Sequence, residues 1–255
     1  MRIVLSEVAK GRAERALPPT STAFETGHAT LTLAETEQRP TVLGLVASGR
    51  MRVDSGEVTI DGRRDARALR RRVALVDAPI VSEPEPNVTV TGVVAEELMF
   101  AGHAPSPFAA ARWLEGLGLD ALAGLPIGNV DPAARIRLLL ELAALRKDVE
   151  GLVLVAPDRH GGEPAAWWRI ALEFAERGYA VLVIAGQASQ TAIEVIGRLD
   201  ADTPTAPVGA ATPASATTET PRTETPTAEA GATDGATDGA TAPTTDAATT
   251  EEEAR

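Results

Sequence analysis

The sequence predicts an α/β layered fold with a mainly parallel core sheet and a small antiparallel part. Residues 152–155 (LVLV) and 180–186 (AVLVIAG) are uninterrupted apolar runs, typical of strands that helices cover on both faces of a parallel sheet. Residues 55–62 (SGEVTIDG) alternate in polarity and end in an Asp-Gly turn signal, which indicates an antiparallel hairpin element. Segments between the strands repeat apolar residues at helical spacing, so helices and strands should form layers.

The individual elements follow from the same patterns. Strands are predicted near residues 3–8, 29–33, 57–60, 73–76, 152–155 and 180–184. Helices are predicted near residues 41–51, 133–147 and 163–177, each with apolar residues on one face. In the last of these helices Trp168 has the spacing of the apolar stripe. Trp167 points to another face and is either an exposed contact residue or a packed one.

Composition divides the chain near Asp200. Residues 201–255 consist mainly of Thr, Ala, Pro, Gly and acids, with no aromatic residue and a single Val. Such a segment buries too little apolar surface to offset its ordering entropy, so we predict a disordered tail. The tail has ten acids against Arg222 and Arg255, which makes it the main source of the chain's net charge of −12.

This acidic balance argues against nucleic-acid binding, which needs a surface where Lys and Arg outweigh acids. One basic cluster is the exception, and we interpret it as a solvated helix face followed by a strand edge. It consists of Arg63, Arg64, Arg67, Arg70, Arg71 and Arg72.

Other chemistries are excluded by what the chain lacks. It has no Cys, so disulfides, thiolate metal sites and Cys nucleophiles are ruled out, and its three His residues are too scattered to suggest a metal centre. The first residues lack the apolar core of a signal peptide, and no apolar run is long enough to span a membrane. We therefore expect a cytosolic protein.

Short motifs follow one another in a fixed order along the chain. Residues 42–62 (VLGLVASGRMRVDSGEVTIDG) contain a helix, then Asp-Ser-Gly-Glu-Val, a strand and Asp-Gly, and residues 70–76 (RRRVALV) form a further strand. Residues 87–98 (NVTVTGVVAEEL), 134–155 (ARIRLLLELAALRKDVEGLVLV) and 178–186 (GYAVLVIAG) come next. Taken in this order, the five segments resemble five parts of ABC transporter ATP-binding proteins. These parts are, in turn, the P-loop helix, the strand before the Q-loop, the start of the helical subdomain, the signature helix with the Walker B strand, and the strand before the switch histidine.

The resemblance covers residues 1–200 and implies a P-loop NTPase-like (ABC ATPase-like) domain. Residues 79–150 would then form its helical subdomain and signature helix. The P-loop pattern Gly-x-x-x-x-Gly-Lys-Ser/Thr surrounds phosphates with backbone amides, neutralises them with Lys and binds magnesium through a hydroxyl. The equivalent positions, counted back from Thr41 without gaps, carry Leu33, Gln38, Arg39 and Pro40.

Both P-loop glycines are therefore replaced, although Arg39 keeps the positive charge and Pro40 suits the first turn of a helix. Glu35 and Glu37 lie in the loop and would repel a triphosphate. Arg39 and Thr41 are the candidate cofactor-binding residues. We expect no bound cofactor; the alternative is weak ATP or anion binding at Arg39 and the helix N-terminus behind it.

The other nucleotide motifs of the family are also replaced. The Walker B pair, an Asp for magnesium and a Glu for the attacking water, falls on Ala156 and Pro157. The Q-loop glutamine falls on Ala78 or a neighbour, and the switch histidine on Gly186 or Gln187. The signature Leu-Ser-Gly-Gly-Gln falls on Val130, Asp131, Pro132, Ala133 and Ala134, and the Ser-Gly-Leu-Asp stretch after Walker B falls on His160, Gly161, Gly162 and Glu163. Replaced motifs on a retained scaffold imply a catalytically inactive relative, with neither catalytic nor metal-binding residues.

A new site is conceivable after the strand at 152–155, because α/β folds place ligand sites at strand ends. Asp158, Arg159, His160 and Glu163 could form an acid/base group there. The alternative is a solvated turn in which Glu163 and Pro164 start the next helix.

Three functions are compatible with these residues. The first is an inactive ABC ATPase-like subunit that regulates or docks on a membrane-spanning transporter-type protein, or pairs with a competent ATP-binding subunit in a homo- or heterodimer, at the inner face of the plasma membrane. The second is a divergent transporter subunit that still binds ATP. The third is a scaffold whose acidic tail recruits a partner.

Overall fold

The computed structural model describes residues 1–35 and 39–202, with side chains as far as residue 195. Apart from its first two residues, the tail predicted to be disordered lies outside the described residues, as does Glu37. The strands are β1 (Arg2–Lys10), β2 (Leu17–Glu25), β3 (Ala29–Leu33), β4 (Ser55–Ile60), β5 (Val73–Val76), β6 (Gly151–Val155) and β7 (Ala180–Ala185). The helices are α1 (Arg39–Ala47), α2 (Ala66–Arg72), α3 (Val90–Phe100), α4 (Pro107–Gly116), α5 (Pro132–Ala144), α6 (Pro164–Glu176) and α7 (Gln187–Asp202).

Two sheets organise the chain, as predicted. Strands β3, β7, β6 and β5 form a parallel sheet in that order, with Leu152 opposite Val181 and Leu154 opposite Val183. Every residue of β6 and β7 is buried, which confirms the interpretation of the two apolar runs. Strands β2, β1 and β4 form a separate antiparallel sheet.

The parallel sheet divides the core into two layers because successive side chains point to opposite faces. Val153, Val155 and Ile184 face α1 and the antiparallel sheet, whereas residues such as Leu154 and Val183 face α5 and α6. Helix α1 packs tightly on its side. A Cβ on Gly44 would lie 2.7 Å from Val155 Cγ2 and 3.0 Å from Leu75 Cδ1, so a glycine is needed where the helix meets the sheet.

The segment around β4 follows its sequence signal only in part. Asp61 and Gly62 both have positive φ angles, 49° and 76°, as a two-residue hairpin turn requires. The hairpin, however, consists of a single bridge between Ile60 and Arg63, and β4 pairs along its length with β1. Gly56 has a φ of 74°, and a Cβ there would lie 2.2 Å from the backbone oxygen of Glu7. The glycine of the Asp-Ser-Gly-Glu-Val motif therefore allows β4 to approach β1.

Trp167 is buried, with 1% of its surface exposed, so the alternative of an exposed contact residue is wrong. The buried stripe of α6 runs through Trp167, Ile170, Ala171 and Phe174. The predicted stripe, Trp168, Ala171, Leu172 and Ala175, is therefore displaced by one residue from the observed one. Helix α6 contacts α5 and α7 as well as the sheet. Trp168 lies at the margin of this stripe and is partly buried.

Several elements were not predicted. Strand β2 contains Pro18 and Pro19, which is tolerated because it is an edge strand of the antiparallel sheet. Helices α4 and α7 were missed although both are amphipathic. No helix within residues 1–35 and 39–202 is long and apolar enough to cross a membrane.

Candidate functional site

The carboxyl ends of β3, β6 and β7 meet beside the first turn of α1. Parallel α/β sheets place ligands at such an edge. A cavity of about 330 Å³ lies there, lined by Ala34, Glu35, Pro40, Ala156, Asp158, Arg159 and Gly186. This is the place where the resemblance puts the P-loop, the Walker B residues and the switch histidine.

Arg39 and Thr41, the candidate cofactor-binding residues, lie in the first turn of α1 and are partly buried. Pro40 between them lines the cavity, whereas neither of the two candidates does. No ion pair joins Arg39 to a carboxylate in the described part of the chain. A role for Arg39 or Thr41 in cofactor binding therefore stays a prediction.

Two carboxylates accept hydrogen bonds from the backbone N–H groups at the start of α7, on the side of the cavity opposite α1. Asp158 Oδ2 accepts a hydrogen bond from the backbone N–H of Gly186 at 2.9 Å, and the Ser189 hydroxyl lies 3.3 Å from the same oxygen. Glu35 Oε1 accepts from the N–H of Gln187 at 2.5 Å. The positive end of a helix dipole, which could attract a phosphate, is thus capped by side chains of the chain itself.

The start of α5, where the signature residues were placed, is capped in the same way. Asp131 accepts hydrogen bonds from the N–H groups of Ala133 and Ala134 at 3.0 and 3.2 Å, and Pro132 occupies the first helical position. The Asp131 carboxylate therefore accepts the hydrogen bonds that the N–H groups of a helix N-terminus would otherwise donate to an anion.

The Walker B positions provide no ligand for a metal. Ala156 has a left-handed backbone conformation (φ 46°, ψ 55°), and its N–H donates to the Ile184 oxygen at 2.8 Å. Pro157 is buried and begins a short 3₁₀ turn, Pro157–His160. Among the described residues, acidic and His side chains nowhere form a group of three that could hold a metal ion.

A buried ionic cluster lies behind this turn, around Asp77 at the end of β5. The Asp77 carboxylate is fully buried and accepts from Arg135 Nη2 at 2.9 Å and from His160 Nε2 at 2.7 Å. Arg159 Nη2 lies 3.0 Å from Asp77 Oδ1 and donates to Glu83 Oε2, also at 3.0 Å. One cluster thus connects the end of β5, the start of α5 and the turn after β6.

Charge balance explains why the cluster tolerates burial. Burial alone would raise the pKa of Asp77, but the hydrogen bond from His160 and the charges of Arg159 and Arg135 outweigh it and hold the pKa below its ordinary value. Arg135 also donates to the Ile127 oxygen at 3.2 Å. A carboxylate held ionised by two guanidinium groups has no proton to give and its lone pairs are occupied, so the cluster is structural in character.

The structure separates the four residues proposed as an acid/base group. Arg159 and His160 turn towards Asp77, whereas Asp158 turns towards α7. Glu163 is exposed and precedes α6 without a side-chain capping bond, as the alternative of a turn leading into a helix implies. The four side chains do not converge on a common point.

Asp77 and Arg135 were missed by the sequence reasoning. A signal existed for Arg135, because it precedes the buried Leu138 and Leu139 by three and four residues and so shares their face of α5. An arginine on a buried face needs an acidic partner. Nothing in the sequence, however, indicated which acid it would be.

Comparison with known proteins supports the fold. No protein-family model matches the sequence, and no curated protein is significantly similar to it. An ATP-binding subunit of an ABC transporter superposes with a TM-score of 0.52 at 14% sequence identity, covering 75% of this chain and 82% of the other. A putative ABC transporter ATP-binding protein from Pyrococcus furiosus superposes with a TM-score of 0.52 at 13% sequence identity, covering 73% of this chain and 92% of the other. The structure of cbiO1 from Clostridium perfringens, part of the ABC transporter complex cbiONQ, superposes with a TM-score of 0.51 at 15% sequence identity. The match covers 72% of this chain and 77% of the other. The chain therefore has the α/β fold of ABC transporter ATP-binding subunits.

Proposed function

We propose that the protein is a catalytically inactive ABC ATPase-like subunit that acts as an interaction or regulatory partner. The observation that carries this proposal is the occupation of the α7 donors by Asp158 and Glu35. A triphosphate entering the cavity would meet two carboxylates there instead of free amide groups. Coulomb repulsion between like charges in a partly desolvated site opposes binding.

The chemistry of phosphoryl transfer supports the same conclusion. Its catalysis depends on positioning and on electrostatic stabilisation by a metal ion and a water-orienting group. Ala156 and Pro157 supply neither. Asp77, a buried carboxylate at the end of β5, is already committed to Arg135, Arg159 and His160.

The loop after β5 offers a surface for a partner. Ile80 at its tip is 96% exposed and Val81 is 49% exposed. Ile80 has a φ of 65°, a strained conformation for a β-branched residue, and its N–H donates to Glu83 Oε1 at 2.8 Å. Because Glu83 is anchored in turn to Arg159, the apolar tip is held out into solvent. Since the structural neighbours are transporter subunits, we assign this loop to contact with a membrane-spanning transporter-type protein.

Residual nucleotide binding is the second candidate, favoured by Arg39 at the N-terminus of α1 with no acidic partner among the described residues. A calorimetric titration of the full chain with Mg-ATP, combined with an ATPase assay, decides between the two. We expect neither heat of binding at millimolar Mg-ATP nor turnover. Magnesium-dependent turnover that Arg39→Ala abolishes, while the exposed control Arg12→Ala keeps it, would reject the inactive subunit. Binding without turnover that is lost in Arg39→Ala would favour the second candidate.

A further inference from the structure

A groove of about 580 Å³ lies between α3, α4 and the residue that follows α5. Its walls are mainly apolar and include Leu98, Ala109, Trp113, Leu117 and Leu145. Sites for small molecules typically have volumes of roughly 300–1,000 Å³ and apolar walls, with a few polar groups that orient the ligand. The groove shares no lining residue with the cavity beside α1, so it is a separate candidate for a binding site.

The groove is elongated along α4. Ala109, Trp113 and Leu117 are spaced four residues apart, so they follow one face of the helix over about 12 Å. Leu98 of α3 and Leu145 after α5 complete the apolar walls. A groove of this form suits an extended aliphatic chain.

The ionisable side chains that line the groove in the described part of the chain are both basic. They are His103 and Arg112, and neither side chain forms a hydrogen bond or an ion pair with a described residue. A guanidinium group binds a carboxylate through two parallel N–H groups, and an imidazole N–H is a further donor. Apolar walls, two basic side chains and no lining acid together match an amphipathic anion.

The charges around the groove disfavour a larger occupant. Residues 90–125, which contain α3 and α4, have one arginine against four acids, none of which lines the groove. A membrane of anionic lipids or a nucleic acid would need a cluster of basic residues there. A second copy of the chain would bring two negative surfaces together. The acids are Glu96, Glu97, Glu115 and Asp120, of which Glu97 is bonded to Arg146 at 2.6 Å.

We propose that this groove binds a free medium-chain fatty acid, with its carboxylate at Arg112 and its aliphatic chain between Leu98, Trp113 and Leu117. His103 is placed to donate a second hydrogen bond to the carboxylate. The proposal does not depend on the fate of the nucleotide site, because the two sites have no residue in common.

Gly116 allows a variant that fills the groove with little disturbance of α4. It borders the groove, and a Cβ at this position would meet no atom of the described chain within 4 Å. Gly116→Phe therefore adds a ring where the ligand should lie. Gly124→Phe is the matched control, because a Cβ there also meets no atom within 4 Å of the described chain and Gly124 does not line the groove.

Isothermal titration of the full chain with decanoate, below the concentration at which it forms micelles, tests the proposal. We expect saturable binding to the parent and to Gly124→Phe, and at least tenfold weaker binding to Gly116→Phe. Octanoate should bind at least fivefold more weakly than decanoate, because each buried CH₂ group raises affinity about fourfold. Absence of saturable binding, or equal affinities of the two glycine variants, overturns the proposal.

The role of Arg112 is tested by charge. Arg112→Glu should lower the affinity for decanoate at least fivefold, whereas Arg112→Lys keeps the charge and should lower it less. Arg169→Glu, a change of another exposed arginine without an ion pair among the described residues, should leave the affinity unchanged. Decanol, with the same chain and no charge, should bind at least fivefold more weakly than decanoate. Equal binding of decanol and decanoate overturns the proposal; circular dichroism of each variant verifies the fold.

Sedimentation distinguishes the other occupants. If the proposal holds, Gly116→Phe and the parent have the same molecular mass in solution, and neither sediments with phosphatidylglycerol vesicles. If Gly116→Phe dissociates a dimer of the parent, a second copy covers the groove. If the parent sediments with the vesicles and Gly116→Phe does not, a membrane lipid occupies it. Either result overturns the proposal.

Discussion

Asp77 and Arg135 form an ion pair that is almost completely shielded from water. The distance between Asp77 Oδ1 and Arg135 Nη2 is 2.9 Å, and the two side chains are 0% and 5% exposed. Taking both charges out of water costs several kcal/mol each, which their attraction and further hydrogen bonds must offset. The pair joins β5 to α5, so it holds the helical part of the chain against the parallel sheet.

Removing one charge of this pair should be strongly destabilising. Asp77→Asn keeps the shape of the side chain but leaves Arg135 buried without its counter-charge, so we expect a loss of about 3–5 kcal/mol in the free energy of unfolding. Urea denaturation followed by circular dichroism measures it. Asp120→Asn, an exposed change, should stay within about 0.5 kcal/mol of the parent protein.

A double substitution separates two possible causes of this loss, which are the unpaired buried charge of Arg135 and the missing ion pair itself. Replacing Asp77 by Leu and Arg135 by Met removes both charges and leaves no uncompensated one, so it should restore part of the stability that Asp77→Asn loses. If the double variant is no more stable than Asp77→Asn, the ionic account of the cluster is wrong.

Acid should weaken the same cluster. The pKa of Asp77 is lower in the folded chain than in the unfolded one, where it is about 3.9. The ionised carboxylate therefore contributes its full stabilisation above about pH 4, and this contribution is lost as the pH falls through the folded pKa. In urea denaturation between pH 7 and pH 3, the stability difference between the parent and Asp77→Asn should be constant near pH 5 and shrink towards pH 3. A difference that grows on acidification would contradict the lowered pKa.

The sequence predicts the sheets well and the ionic cluster poorly, and the reason is physical. Strands such as β6 and β7 are buried on both faces, so their identity is encoded in short, local apolar runs. The cluster joins Asp77, Arg135 and His160, which are up to 83 residues apart. Such a long-range pairing leaves no periodic pattern. The caps Asp158 and Glu35 are likewise separated from the amides they bind, and only the folded chain brings them together.

Asp131, by contrast, acts locally, and its role can be tested without disturbing the core. Asp131→Ala removes the acceptor of the Ala133 and Ala134 amides and should cost about 1 kcal/mol, whereas Asp131→Ser keeps a capping oxygen and should cost only a few tenths. Thermal denaturation of the three proteins compares them. Equal melting temperatures for the Ala variant and the parent would show that the cap is not stabilising.

The two adjacent tryptophans of α6 should differ sharply in their importance. Trp167 is 1% exposed and lies in the core between α6 and the parallel sheet, so Trp167→Ala creates a large cavity and should cost about 3–5 kcal/mol. Trp168 is only partly buried, and its replacement by Ala should cost about half as much or less because part of the ring already contacts water. Trp167→Phe, which retains most of the apolar volume, should fall between the two alanine variants. Urea denaturation of the three variants gives the order directly, and a larger loss for Trp168→Ala than for Trp167→Ala would mean that the apolar stripe of α6 runs through Trp168 after all.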